Sequence, residues 1–138
     1  MQIFSKNQMQ WNAKPLPAEE IELFRNEYKK AGLQKTMSHA SYLLNLGSPA
    51  EEMRKKVTDA MNLELSRVNS LGIDFLVLHP GSYKDSTEKD AIKQISIILD
   101  SVLPASGFTK VLIETAAGQG STIGYEFRQL SGIIDGVS

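Results

Sequence analysis

The chain of 138 residues contains no cysteine and only two histidines. The lack of cysteine excludes several kinds of site. Without cysteine there are no disulfides, no thiolate metal sites and no cysteine nucleophile. Histidine, aspartate and glutamate are therefore the side chains left to hold a metal. The lack of a disulfide framework is also typical of an intracellular protein.

Long apolar runs and an excess of charge are missing as well. No stretch reaches the ~18 apolar residues of a membrane span, and the N-terminal MQIFSKNQMQWNAK lacks the apolar segment of a signal peptide. We therefore expect a cytoplasmic protein without a membrane partner. The formal net charge is -1, so there is no global basic field, and charge alone neither suggests nor excludes a nucleic-acid ligand.

Apolar residues recur with helical and strand periods in alternating segments. The clearest helix is residues 48–72, in which Ser48 is the predicted N-cap, Pro49 the first helical residue and Glu51 the end of a capping box. The run IDFLVL after it is typical of a strand covered on both faces. The same order predicts strands over 2–5, 34–39 and 109–114, and helices over 17–32, 85–103 and 124–137.

Strand followed by helix, four times over, indicates an α/β protein with parallel strands joined by right-handed crossovers. No linker or low-complexity tract interrupts the pattern, so we expect residues 1–138 to form a single domain. Four such units fit an open doubly wound sheet, and they equally fit half of an eight-unit (β/α) barrel. Periodicity does not choose between these folds.

Metal-binding side chains stand where three of the predicted strands end: His39, His79 and Glu114. The intervals between them are about one βα unit, so we expect all three at the same level of neighbouring strands. Two imidazoles and a carboxylate are a familiar catalytic zinc set, and such a zinc generates hydroxide for hydrolysis. Manganese or iron would suit the same donors. A histidine at a strand end more often anchors a loop by a hydrogen bond, which remains the alternative.

Four segments and a short tail carry a resemblance to a known family. FSKNQMQW, HASYLLNLGSP, LHPGSY and IETAAGQGSTIGYEF, followed by IIDGV, closely resemble endonuclease IV, the zinc-dependent apurinic/apyrimidinic (AP) DNA repair endonuclease. The resemblance covers the whole chain and keeps the family's order of motifs. It implies a (β/α), or TIM, barrel that hydrolyses DNA on the 5′ side of an abasic site by zinc-activated water.

The resemblance also implies roles for particular residues. His39, His79 and Glu114 match three zinc ligands that would complete one zinc site, and Glu114 would bridge to a second zinc as the catalytic carboxylate. Tyr42 and Leu43 match the loop that enters the DNA at the lesion.

A second DNA-contacting loop of the family matches KNQMQW, which implies contacts from Lys6, Asn7 and Gln8. The chain departs from the family's pattern at Met9, where similar proteins often carry arginine. We therefore assign no DNA contact to that position.

Relative to the family, the chain begins near the second barrel strand and stops after the helix that follows the fifth. We expect a partial barrel, about half of a longer enzyme, as a fragment or a truncated homologue. The ligands of the other zincs would lie outside it, so the isolated chain is expected to be inactive or weakly active. Its exposed sheet edges predict a homodimer.

Two other functions compete with a DNA repair endonuclease. Similar barrels with histidine and glutamate ligands include metal-dependent sugar isomerases, although the two DNA-loop matches argue against that class. A non-catalytic half-barrel that binds DNA or protein would not need to retain a metal.

Overall fold

A computed structural model describes residues 1–138 of the chain, and its four strands form one parallel sheet in the order β1-β2-β3-β4. The strands are β1 Gln2–Ile3, β2 Met37–His39, β3 Phe75–Leu78 and β4 Lys110–Ile113. The helices are α1 Ala18–Lys30, α2 Glu51–Leu71, α3 Glu88–Val102 and α4 Phe127–Asp135, with a short 3-10 helix, Leu103–Ala105, after α3. Each strand is followed by a helix, as the periodicity predicts.

The strand order decides between the two folds that periodicity leaves open. An open doubly wound sheet reverses its strand order at a switch point, whereas consecutive units of a barrel stay in sequence order. Here every strand pairs with the next one along the chain, without reversal. The fold is therefore a partial (β/α) barrel with β1 and β4 at its open edges.

The core lies between the sheet and helices α2 and α3. Strand β3 has a neighbour on each side, and Leu76 and Leu78 are almost fully buried, as are Met61, Leu65 and Ile95 on the helices. Burying one such side chain contributes about 1.5–3 kcal/mol. These contacts hold the ends of the central strands in place.

The start of helix α2 differs from its prediction. The capping box predicted at Ser48 is wrong: α2 begins at Glu51 with Ala50 as N-cap, and no side chain caps it. The Ser48 amide instead donates to the carbonyl of Asn45 in the preceding turn, 3.3 Å away. Helix α1 contains no fully buried residue; it packs chiefly on α2, with Ile21 and Phe24 partly buried against the core.

No helix of the protein combines the length and the apolar character needed to cross a bilayer.

Candidate metal centre

The three predicted metal ligands stand at the carboxyl ends of neighbouring strands. His39 is the last residue of β2, while His79 and Glu114 come directly after β3 and β4. The register pairs His39 with Val77 and Leu78 with Ile113. His79 and Glu114 therefore share one level, and His39 lies two residues lower.

Our expectation of a common level was thus wrong for His39, yet its side chain still points to the same face of the sheet as those of His79 and Glu114. Side chains along a strand alternate between the two faces, so an offset of two residues keeps a residue on the same face. Strands in a barrel are staggered, and this offset is the local form of that stagger.

The donor atoms of the three residues lie within 4.8 Å of one another. His39 Nε2 is 2.9 Å and His79 Nε2 is 3.7 Å from the same carboxylate oxygen, Oε2 of Glu114. The His39 side chain is only 4% exposed, against 40% for His79 and 45% for Glu114. One donor is buried at the base of the site, and the other two are open to solvent.

The tautomer of His39 follows from its second ring nitrogen. Nδ1 lies 2.7 Å from the carbonyl oxygen of Ala40, which can only accept, so Nδ1 carries the proton. In the neutral ring Nε2 then has a lone pair, and this lone pair faces a carboxylate oxygen. Two such atoms at this distance repel each other unless a proton or a cation neutralises them. The donor set therefore fits a divalent metal. The hydrogen bond from Nδ1 to a backbone carbonyl is also the one that metal-ligating histidines usually make.

An aromatic side chain covers the two imidazoles. The Tyr42 ring is 5.0 Å from the His39 ring and 6.2 Å from the His79 ring between centroids, and the residue is 52% exposed. Tyr42 and Leu43 also line a groove of about 790 Å³ that opens beside His79. The groove is also lined by Lys84, Thr115, Gln119 and Thr122.

Asn45 ties together the loops around this groove. Its Oδ1 accepts from the amides of Ser82 and Gly47, at 2.7 and 3.2 Å. Gly81 has a φ of +107°, and a Cβ there would lie 2.2 Å from Asn45 Oδ1, so only glycine fits. This packing fixes the chain just beyond His79.

The first loop of the chain, KNQMQW after β1, carries three predicted DNA-contacting residues, and they lie in different environments. Asn7 is exposed, whereas Gln8 is half-buried and its Oε1 has no hydrogen-bond partner. The Lys6 side chain is 2% exposed and its ammonium lies 3.4 Å from Glu64 of α2. The predicted DNA contact of Lys6 therefore stays a prediction, since its charge is held inside by a buried carboxylate in this structure.

Sequence reasoning missed Glu64 and Gln129, although each left a signal. Glu64 occupies an inward position of α2, three residues after Met61 and four before Val68, where an ionisable side chain is unexpected. Gln129 follows Glu126 by three residues, the spacing of a capping box, which the structure contains. Its Oε1 accepts from the Gly124 amide at 2.8 Å and shapes the end of the loop after β4.

The class of the protein follows from its fold: residues 1–138 match the xylose isomerase-like TIM barrel family, and the chain belongs to it. Among its relatives, the probable endonuclease 4 of Chloroflexus aurantiacus is 39% identical over 137 residues, which are 98% of this chain and 48% of that protein. The resemblance to endonuclease IV is confirmed. The chain spans about half the length of the curated relatives it matches.

Solved structures agree with the partial barrel. The crystal structure of endonuclease IV from Thermus thermophilus matches with a TM-score of 0.81 and 29% identity, over 99% of this chain and 49% of that one. A D-tagatose 3-epimerase-like protein matches with a TM-score of 0.73 and 16% identity, over 87% of this chain and 47% of that one. The second likeness shows the fold alone.

Proposed function

We propose that this chain belongs to a zinc-dependent DNA repair endonuclease that hydrolyses the phosphodiester on the 5′ side of abasic sites. The observation that carries the proposal is the meeting of His39, His79 and Glu114 within 4.8 Å at the strand ends. The relatives named endonuclease 4 support DNA as the substrate class.

The three residues have separate tasks in this proposal. His39 is the buried donor that fixes the site, His79 is the open donor, and Glu114 is the anionic donor that would also bridge to a second zinc, as the resemblance implies. When bound, zinc supplies a Lewis acid and activates water at neutral pH. The protein contributes the fixed tautomer of His39 and a groove for the substrate.

The groove beside His79 is the proposed DNA-binding surface. Tyr42 and Leu43 line it and offer an exposed ring and an apolar side chain, which suit stacking against bases around a missing one. Lys84 also lines the groove and supplies a cation for a DNA phosphate.

The residues of the first loop have different proposed roles. Asn7 and Gln8 remain proposed DNA contacts, since Asn7 is exposed and Gln8 is half-buried beside it. Lys6 acts beneath the surface instead, through Glu64.

Incision by this chain alone is proposed to be weak or absent, because one metal site cannot both activate water and hold the leaving oxygen. The test compares the purified chain with a Glu114→Gln variant on a duplex with one abasic site and on the intact duplex. We expect about one zinc per chain, tighter binding to the abasic duplex and little cutting. Cutting that Glu114→Gln abolishes would refute the inactivity proposal.

The same experiment separates the competing functions. A chain that takes up zinc but does not prefer abasic DNA would favour a sugar isomerase, which only the similarity of fold supports. DNA binding without any zinc uptake would favour a non-catalytic module.

We also propose that two copies associate through the open edges of β1 and β4, which leave backbone groups unpaired. Leu112 on β4 is 38% exposed, which adds an apolar contact at that edge. A monomer at all concentrations in sedimentation velocity would contradict this. The proposed location is the cytoplasm.

A further inference from the structure

Glu64 is a fully buried carboxylate in the middle of α2, 1% exposed, that the proposed chemistry does not use. Burying a carboxylate is costly unless its oxygens are paired and hydrogen-bonded. Glu64 has three partners: its Oε2 accepts from Ser5 Oγ at 2.9 Å, and its Oε1 accepts from the Ser41 amide at 3.1 Å and lies 3.4 Å from Lys6 Nζ. These partners belong to the loops after β1 and β2.

One of these partners leads directly to the candidate metal centre. The Ser41 amide and the Ala40 carbonyl belong to the same peptide group, and they point in opposite directions because the bond is trans. Glu64 accepts from one end of this peptide, and the other end accepts the Nδ1 proton of His39. A carboxylate, a peptide and an imidazole thus form one hydrogen-bonded chain.

We propose that Glu64 is a positioning residue of the metal centre, acting on His39 through the peptide between Ala40 and Ser41. The negative charge of Glu64 polarises that peptide, so its carbonyl becomes a stronger acceptor for the Nδ1 proton. A stronger bond at Nδ1 holds the ring in the tautomer and orientation that ligation needs. The proposal rests on the proposed metal site for its purpose, but its physical link is present without metal.

The same carboxylate couples the first loop to this histidine. Lys6 neutralises Oε1 and also donates to the Gln10 carbonyl, 2.5 Å away, while Ser41 Oγ donates to the Gln8 carbonyl at 2.7 Å. The loop that carries the proposed DNA contacts Asn7 and Gln8 is therefore held in place by Glu64, the same residue that orients His39.

The first test uses nitrogen-15 histidine spectra of the metal-free protein, in which only two imidazoles give signals. Glu64→Gln exchanges the carboxylate for a neutral acceptor of the same size. We expect the His39 Nδ1 proton to move upfield and to exchange with water about tenfold faster, since bonds to charged groups are roughly twice as strong. His79 serves as the internal control and should not move.

A second variant protects the test against loss of folding. Lys6→Met removes the neutralising ammonium and leaves the carboxylate on the Ser41 amide, so the His39 proton should move downfield, opposite to Glu64→Gln. General loosening of the structure would shift both variants in the same direction. If Glu64→Gln does not fold, the direction seen with Lys6→Met decides.

The second test measures zinc affinity by competition with a chromophoric chelator. We expect Glu64→Gln to bind zinc about 10- to 100-fold more weakly, as outer partners of metal ligands usually do when changed. Glu52→Gln, an exposed glutamate on the same helix, is the matched control. Val68→Ala, a buried apolar change one turn away, should lower the Tm without changing zinc affinity.

The outcomes separate this inference from the proposed function. If the wild-type chain binds no zinc, the metal site fails, while the His39 spectra still test the role of Glu64. If Glu64→Gln lowers the Tm but leaves the His39 signal and the zinc affinity unchanged, Glu64 is an ordinary buried ion-pair residue and the inference is wrong.

Discussion

Replacing Glu114 by glutamine removes the anionic donor of the candidate metal centre and keeps the size of the side chain. The Glu114 side chain is 45% exposed, so the change costs no core packing. Its oxygen Oε2 is the atom that both histidines face, at 2.9 and 3.7 Å. Loss of zinc binding would therefore report the missing donor and not a loosened fold.

The expected magnitude follows from the number of donors. Zinc sites with four protein ligands bind with about 10–16 kcal/mol, or roughly 2.5–4 kcal/mol per ligand. Loss of one donor should weaken zinc binding about 100- to 1000-fold. At free zinc about one hundred times the wild-type Kd, the wild-type chain gains about 2.7 kcal/mol of stability. A variant with hundredfold weaker binding is then half-saturated and gains only about 0.4 kcal/mol.

Thermal unfolding with and without zinc measures this difference. For a chain of this size the gap of about 2.3 kcal/mol corresponds to roughly 7–10 °C in the zinc-induced rise of Tm. Without zinc the two proteins should unfold within about 2 °C of each other, and the exposed Glu52→Gln variant should match the wild type throughout. An equal zinc-induced rise in Glu114→Gln would refute the assignment of Glu114 as a ligand.

Three further predictions concern the loops and the helix that support the site. Gly81→Ala should cost roughly 2–4 kcal/mol in urea unfolding, because its methyl group would overlap the asparagine that bridges the loops; Gly120→Ala, with a positive φ but open space around it, should cost less. Gln129→Met should cost at least about 2 kcal/mol, since the amides it caps at the end of the loop after β4 would lose their acceptor, and an unchanged denaturation midpoint would contradict that role. The hydrogen bonds from Arg128, and then from Gln129, hold the pKa of Glu88 below its ordinary value, so this stabilisation is present above about pH 4.5 and is lost as the pH falls through the lowered pKa. The Tm of the wild type should therefore fall more steeply on acidification than that of Glu88→Gln, and parallel curves would show that the ion pair contributes nothing.

Local patterns in the sequence were sufficient to predict the strands and helices and to select the three side chains of the candidate metal centre. A helix and a strand leave their periods in the chain. His79 and Glu114 each follow an apolar run, while His39 ends the less apolar strand pattern of residues 34–39. The start of α2 was predicted wrongly because Ser48 has the right chemistry for an N-cap, while its amide is already engaged by the turn before it.

The tertiary structure alone decided how those residues are placed. Strand order distinguishes a partial barrel from an open sheet, and it depends on pairings between residues about 35 positions apart that no local pattern encodes. The same holds for Lys6, whose sequence context indicates a surface loop but whose charge meets Glu64 inside the protein.

By itself, then, the sequence determined which side chains could bind a metal and at which strand ends they stand, because these properties depend on residue type and local periodicity. Only the tertiary structure decided that His39 lies two residues below its partners and still faces them, and that one peptide joins it to a buried carboxylate. Those facts depend on the stagger between strands and on the packing of α2 beneath them, which are long-range properties of the folded chain.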